Sequence, residues 1–372
     1  MNIIWFSEIR WDYLKTRKQH LLSHFPSKDN ILFIQPYNFS KKKKYLKSVP
    51  KNIVCKTVPI FRSGNRLSIV LSNRSFIRLV TYTLLIMYTK LLVKKYLRGT
   101  TDVICISNIF YIPIIKKLND PIVWDYNDDP EQFGPIPEWI SKLYNNILSN
   151  KKTKIISCSK GLNQYIYTKF SNKPITIPNG VELKKFQNYQ DNYKSNKKLI
   201  IGYVGIVSKW FFDFDLIKII SEKYPICEIR IYGPKDKNAL RDIEEISSLQ
   251  NVTIYPEQNY DVLPSIISGF SIGLIPLKSF EKVWRAASGK LLQYLAVGIP
   301  VVSVYMEQYA GLNNLILCKT HEEFVNGIDY YLKNENVMLK KNNLSEYDWI
   351  VLADKYRKIL TKNIDKNEDL NL

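Results

Sequence analysis

Two lysines in this chain have neighbours suited to an anion. Lys290 follows Ala286, Ala287, Ser288 and Gly289, four small residues in a row, and opens the apolar run "LLQYLAVG" ahead of "IPVVS". Backbone N–H groups at a helix start attract anions, and small residues let a phosphate approach closely. The helix dipole disfavours a cation at that end unless an anion lies between the charge and the helix. The alternative is a lysine that simply points to solvent, and Leu291, Leu292, Leu295 and "PVVSV" do have the character of core. The second lysine is Lys209. In "GYVGIVSKWFFDFDLI" a strand ends at Gly205, a short loop carries Ser208 and Lys209, and a helix follows. A lysine in a β–α loop is common, but paired with Lys290 it makes a two-cation clamp for a diphosphate.

Other chemistries find little support. The Gly-Lys pair at 289–290 lacks a following Ser or Thr, and Trp284 stands where a Walker A loop has its first glycine. There is no G-x-S-x-G and no H-E-x-x-H, and "GYVG" at 202–205 is not a dinucleotide fingerprint. The three histidines, His20, His24 and His321, have no metal-site spacing. "NDDP" at 127–130 follows a strand and reads as an Asx-type turn, which leaves Asp125 or Asp128 able to face a ligand. No metal and no organic cofactor are expected. Five scattered cysteines with no C-x-x-C pair argue against zinc and redox motifs and suit buried thiols in a reducing compartment.

The charge of +20 is uneven: residues 1–100 hold 20 Lys and Arg against Glu8, Asp12 and Asp29, so +17 resides there. A general lysine excess leaves the missing acids unexplained, and a basic face for anionic lipid or an acidic ligand accounts for them. Without a zinc finger, RNP motif or helix-turn-helix, nucleic acid is not the expected partner. Within this half, "FIRLVTYTLLIMYTKLLVKKYLR" has the composition of an interfacial helix, with Arg78, Lys90, Lys94, Lys95 and Arg98 placed to meet headgroups. A long core helix with a basic edge fits the pattern equally well. The apolar stretch Leu79–Thr89 between Arg78 and Lys90 is short of the roughly 20 residues a membrane span needs. With no secretory signal at the start, a cytoplasmic protein without a spanning segment is expected.

Strand and helix patterns alternate along the chain and predict a parallel sheet with helices on both faces. The first half offers seven short strands, from "NIIWFS" to "PITIPNG". The polar stretch 183–197 reads as a linker, after which six more strands follow, from "LIIGYVG" to "LILCK". Thr320 and Glu323 form a capping-box pattern, and an amphipathic segment near Trp349 precedes a tail expected to fray. The expected organisation is two Rossmann-like doubly wound α/β domains, 1–182 and 198–345, facing across a cleft, with a crossover helix and tail over 346–372. In such sheets ligands lie beyond the carboxyl ends of the strands.

"VWDYNDD", "ISCSKGL", "ITIPNGVELKKF", "IIGYVGIVSKWFFDFD", "GLIPLK" and "KLLQYLAVGIPVVS" occur in this order, and with them most of the chain resembles the GT-B glycosyltransferases. The likeness is to the retaining family-4 group and its bacterial teichuronic acid and envelope-polysaccharide members. The resemblance implies a nucleotide-sugar donor, UDP- or GDP-linked, on the second domain. The acceptor, a saccharide or lipid-linked saccharide, lies on the first, and transfer retains the anomeric configuration without a metal. It places Lys209 and Lys290 on the diphosphate, with Gly205, Ser208, Tyr232, Gly233, Ala287, Ser288 and Gly289 around the donor. The segment 256–267, including Tyr260, lies at the base. Where the family commonly has Glu on the ribose this chain has Gln293, and Arg285 stands where a second Glu often meets the sugar. An inactive glycosyltransferase-like binding subunit is therefore the alternative. In place of a glycine-rich loop after the first strand stands "SEIRWDYLKTRKQHL", where Arg10, Arg17 and Gln19 are expected at the acceptor. Asp128, Glu8 and His20 are candidates for a general base by position. The resulting expectation is an envelope-polysaccharide enzyme peripheral to the inner face of the plasma membrane.

Overall fold

A computed structural model describes residues 1–13, 15–37, 48–60, 70, 72–133, 136–189, 199–334 and 340–368. The chain divides into two compact units. The first comprises Met1–Cys158, Leu162–Ile177 and the chain from Leu352 onward; the second comprises Ser159–Gly161 and Pro178–Val351.

Among the described residues the first unit holds seven strands: β1 (Asn2–Phe6), β2 (Asn30–Gln35), β3 (Ile53–Thr57), β4 (Val103–Ile106), β5 (Ile122–Tyr126), β6 (Lys154–Ser157) and β7 (Ile175–Thr176). They form one sheet in the order β3-β2-β1-β4-β5-β6-β7, and every pairing is parallel. The second unit holds β8 (Ile200–Val204), β9 (Glu228–Tyr232), β10 (Val252–Tyr255), β11 (Ile272–Ile275), β12 (Val301–Val304) and β13 (Leu315–Cys318), again parallel, in the order β10-β9-β8-β11-β12-β13. Central strands such as "VICI" and "IIGYV" are buried along their whole length. A parallel sheet covered on both faces needs such continuous apolar runs. Both sheets reverse strand order once, between β1 and β4 and between β8 and β11, and these switch points are where doubly wound sheets receive ligands.

The linker expected over 183–197 is folded at its start. Leu183–Gln187 is a short helix in the second unit, with Phe186 fully buried beside Tyr260, because Leu183 and Phe186 lie one helical turn apart. The chain passes between units at Ile177–Pro178; residues 190–198 lie outside the described residues. The last helix, Trp349–Glu368, returns to the first unit as expected: Tyr356 stacks on Trp5 at 5.6 Å, and Arg357 binds Asp29 through both Nε (2.6 Å) and Nη2 (2.9 Å). Burial alone would raise the Asp29 pKa, but Arg357 and the amino terminus outweigh it and hold it low. The helix persists to Glu368, into the region expected to fray.

The apolar basic segment is one helix, Ser75–Tyr96, and its length corrects the expectation of a stretch too short to span. Its 22 residues have a mean hydropathy of 1.6 over the best window, so it is long and apolar enough to cross a membrane by length and composition. Arg78 does not interrupt it, because the guanidinium lies over the Trp139 ring at 4.8 Å and donates to the Ser72 carbonyl.

Candidate functional site

The second unit assembles its site at the switch point. β8 ends at Val204, whose N–H donates to the buried Tyr294 hydroxyl at 2.7 Å, and Gly205 donates to the Tyr232 carbonyl at 2.8 Å. Gly205 and Gly233 meet back to back. Gly233 has φ +154° and a Cβ there would overlap the Gly205 carbonyl, while a Cβ on Gly205 would overlap the Tyr203 hydroxyl and the Lys290 Cε. Glycine is needed at both positions for this close approach. It lets the Lys290 side chain lie directly over the end of β8.

Lys290 belongs to the helix Gly289–Val297, which Ser288 precedes without a side-chain capping bond; no acidic residue stands in its first turn. Leu291, Leu292, Leu295 and Val297 bury its apolar face, so the segment is a core helix, and its amino end carries no side-chain cap. The approach to that end is fixed by other loops. Asn179 Nδ2 donates to the Ala287 carbonyl at 2.7 Å, the Ser159 hydroxyl donates to the Arg285 carbonyl, and Lys160 N–H reaches Gln308 Oε1 at 3.1 Å. "IPNG" thus braces the small-residue run, a link that sequence spacing does not reveal.

The loop after β8 is held just as firmly. Ser208 donates to Asp236 at 2.9 Å, and Asp213 caps the helix Phe214–Lys223 through Leu216 N–H (3.0 Å) while meeting His321 at 2.8 Å. Ser208 is therefore spent on the loop. The Lys209 side chain is largely exposed, with its ammonium 3.4 Å from Asp242. Lys278, given no role in the sequence although it lies in "GLIPLK", donates to the Lys209 carbonyl at 2.8 Å and brings a further cation to this loop. Tyr232 departs from its expected lining role: its ring is buried and stacked on Tyr255 at 4.4 Å, as β9 and β10 place them side by side.

Gln293, one turn into the same helix, lies beside Tyr260. Burial, and then the charge of Glu182, pushes the Tyr260 phenol up, so it stays protonated. The Gln293 Oε1 is buried with no hydrogen-bond partner, an acceptor with capacity for a hydroxyl donor. Arg285 forms an ion pair with Glu281 four residues earlier. That pairing offsets the Arg285 charge.

At the first unit's switch point the expected acceptor residues are used internally. Arg17 is buried, and its Nε binds Asp125 at 3.1 Å with the Tyr356 ring 5.9 Å from the guanidinium carbon. Gln19 is buried, accepts from Thr16 N–H at 3.1 Å to cap the helix Arg17–Ser23, and donates to the Arg10 and Trp11 carbonyls. Arg10 pairs with Asp12 (2.9 and 3.0 Å), and His20 is buried. Arg17 and Gln19, expected at the acceptor, and His20, a candidate base, are corrected to parts of the unit's own framework, because the helix Arg17–Ser23 turns these side chains inward; Arg10 stays partly exposed. What does reach the carboxyl edge is Glu8, which accepts from Ser107 at 2.6 Å and pairs with the buried Lys18. Although Asp128 reaches solvent, partial loss of water around its carboxyl at the sheet edge and then the charge of Glu8 raise its pKa. In the turn itself Asp129 accepts from Glu131 N–H at 3.1 Å, as an Asx-type turn requires.

No protein-family model matches the chain, and neither does any curated protein sequence. Solved structures do. The pair of parallel sheets with returning last helix is the GT-B fold, shared across nearly the full length of this chain. A sucrose-phosphate synthase from Thermosynechococcus elongatus is similar with a TM-score of 0.65 and 14% identity, covering 99% of this chain and 98% of its own. HepE from Anabaena in complex with UDP-glucose is similar with a TM-score of 0.63 and 13% identity, covering 100% and 99%. The lipopolysaccharide outer core galactosyltransferase WaaB follows with a TM-score of 0.62 and 14% identity, covering 97% and 100%.

Proposed function

We propose that the chain is a glycosyltransferase that moves a sugar from a UDP- or GDP-sugar to a saccharide or lipid-linked acceptor in cell-envelope polysaccharide synthesis. The observation that carries the reading is the Gly205–Gly233 contact with Lys290 laid over it at an uncapped helix start. Two glycines, a cation and inward-pointing amides are what a diphosphate needs in order to approach backbone. HepE is in complex with UDP-glucose, and that fold covers this whole chain. In transfer, the bond from the anomeric carbon to the diphosphate oxygen breaks and charge collects on the leaving nucleoside diphosphate. Lys290, the helix amides and, more distantly, Lys209 offset that charge. The acceptor hydroxyl bonds to the same carbon, and Asp128 or Glu8 at the first unit's edge are the groups available to take its proton. Retention and metal independence belong to the family resemblance and are tested by product anomer analysis and by activity in EDTA. The basic first unit supports an acceptor at an anionic membrane, on the inner face of the plasma membrane.

Isothermal titration and thermal shift with UDP, GDP and their sugars test the reading. A ligand that binds only the native state raises its melting temperature. Absence of any stabilisation by all four classes sinks the donor site. The uncharged Gln293 and the Glu281-paired Arg285 favour one second reading, an inactive subunit; donor binding with neither hydrolysis nor transfer would support it.

A further inference from the structure

The helix Ser75–Tyr96 is apolar on both faces. Tyr82, Leu85, Thr89, Leu92 and Val93 pack into the first unit, with the Tyr82 hydroxyl donating to the Phe110 carbonyl at 2.9 Å. The opposite face carries Phe76, Leu79, Leu84, Met87 and Leu91, each at least 59% exposed. At 1.5 Å rise per residue this stripe runs about 22 Å along the surface. Large apolar side chains repeated over that length on an exposed helix mark a contact surface rather than scattered surface hydrophobics. Its flanks are basic: Arg74 precedes the helix, and Lys90, Lys94 and Lys95 are exposed over its last two turns. No acid occurs from residue 30 to 101.

We infer that this helix lies in the plane of an anionic bilayer, with the Phe76–Leu91 stripe inserted among the acyl chains of one leaflet and the flanking lysines at the headgroups. The inference rests on the membrane reading above and sharpens it: insertion, not charge alone, holds the protein there. The chemistry is that of an interfacial helix, in which apolar burial adds to attraction for anionic lipid and long cationic side chains reach the headgroup layer. A spanning arrangement is disfavoured, because crossing would strip Tyr82 and Leu85 from the unit that buries them. Two contacts fix direction: Asn2 Nδ2 at the start of β1 donates to the Leu97 carbonyl at 3.3 Å, and Tyr82 reaches the Phe110 carbonyl beyond the carboxyl end of β4, so the helix runs antiparallel to these strands. Its Phe76 end therefore lies toward the edge that carries Glu8 and Asp128. An in-plane helix would hold that edge beside the headgroup layer and facing along it, within reach of a sugar on a lipid-linked acceptor.

The test is flotation of the full chain with vesicles of phosphatidylcholine alone or with phosphatidylglycerol, at low salt and at about 0.5 M NaCl, where surface charge is screened. Binding to the anionic vesicles should survive the salt. The double variant Leu84→Glu/Leu91→Glu should lower vesicle partition by about tenfold or more, because two charges replace inserted side chains. Both sites are exposed, and an unchanged thermal melt verifies the fold. Lys94→Gln/Lys95→Gln should weaken binding only at low salt, and tryptophan at Leu84→Trp should be quenched by brominated acyl chains. Failure to float with any vesicle overturns the membrane reading itself. Flotation that salt abolishes and Leu84→Glu leaves unchanged overturns insertion alone. A concentration-dependent dimer that Leu84→Glu dissolves overturns both in favour of a second copy on this face.

Discussion

The two switch points of this molecule are built alike and equipped differently. Beyond β1 and β4, the first unit closes its sheet edge with paired charges: Glu8 with Lys18 and Ser107, and behind them Arg17 with Asp125. Beyond β8, the second unit offers two glycines, a lysine over them and an uncapped helix start. Each has cations near the start of a helix, but only in the second does the cation lie over bare backbone. A basic residue near a helix start is therefore no sign of an anion site until its partner is known. The same residue type serves as internal framework in one unit and as candidate ligand in the other.

Removing one member of each arrangement should break the likeness, first in stability. Arg17→Leu leaves Asp125 buried and charged, and breaking a buried pair on one side costs about 3–5 kcal/mol. The urea midpoint should fall accordingly, while Arg17→Leu/Asp125→Leu should recover most of the loss. A surface role for Arg17 predicts no such rescue. Lys290→Ala should act chiefly on ligand binding and lower the melt of the free protein by less than Arg17→Leu does. Loss of one charge-assisted contact of about 1.5–3 kcal/mol should weaken UDP or GDP binding about 10- to 100-fold in calorimetry. Lys209→Ala, whose ammonium is exposed and drawn to Asp242, should cost less than Lys290→Ala. Equal losses would restore the two-cation clamp.

Gln293→Glu tests the donor unit more finely. The Gln293 Oε1 is a buried acceptor without a partner, beside the protonated Tyr260. A carboxylate there strengthens a hydroxyl contact about twofold in energy. Nucleoside diphosphate affinity should rise by several-fold, and transfer rate should rise with it if the uncharged side chain limits the chain now. An unchanged affinity removes Gln293 from the donor site.

The strands were legible because each is a short apolar run bounded by turn residues; every one of the expected runs from "NIIWFS" to "LILCK" forms a strand in a parallel sheet. Lys290 and its small-residue approach were legible for the same local reason. Partnership was not. Arg17 and Gln19 read as ligands because a helix start with basic residues shows nothing of Asp125, 108 positions away, or of the inward turn that buries them. The brace from Asn179 to Ala287 is likewise a contact across 108 positions. Leu183–Gln187 looked like linker because its polar residues outnumber the two that pack. The Ser75–Tyr96 helix showed its composition but not which arc faces out, since both arcs are apolar.

Asp128 gives the smallest and last contrast, because the second unit's switch point presents no such carboxyl pair among the residues placed around Lys290. Desolvation, then Glu8, raises the Asp128 pKa, so the folded chain holds its proton to higher pH than the unfolded chain does. Where the native state binds more protons, stability falls as pH rises, and the loss is complete once pH passes the folded value. Wild type should therefore lose a little stability on going from the ordinary carboxylate range toward neutrality, and Asp128→Asn should not. Because the carboxyl reaches solvent, the difference should stay below about 1 kcal/mol. It should appear as a small gain in the urea midpoint of the variant at pH 7 that vanishes at pH 4. Glu8→Gln should reduce the same slope by relieving the repulsion. If Asp128→Asn instead lowers the neutral-pH midpoint, the charged carboxylate is stabilising there, and the edge is a paired framework like Arg17–Asp125 rather than a base of raised proton affinity that can take an acceptor's proton.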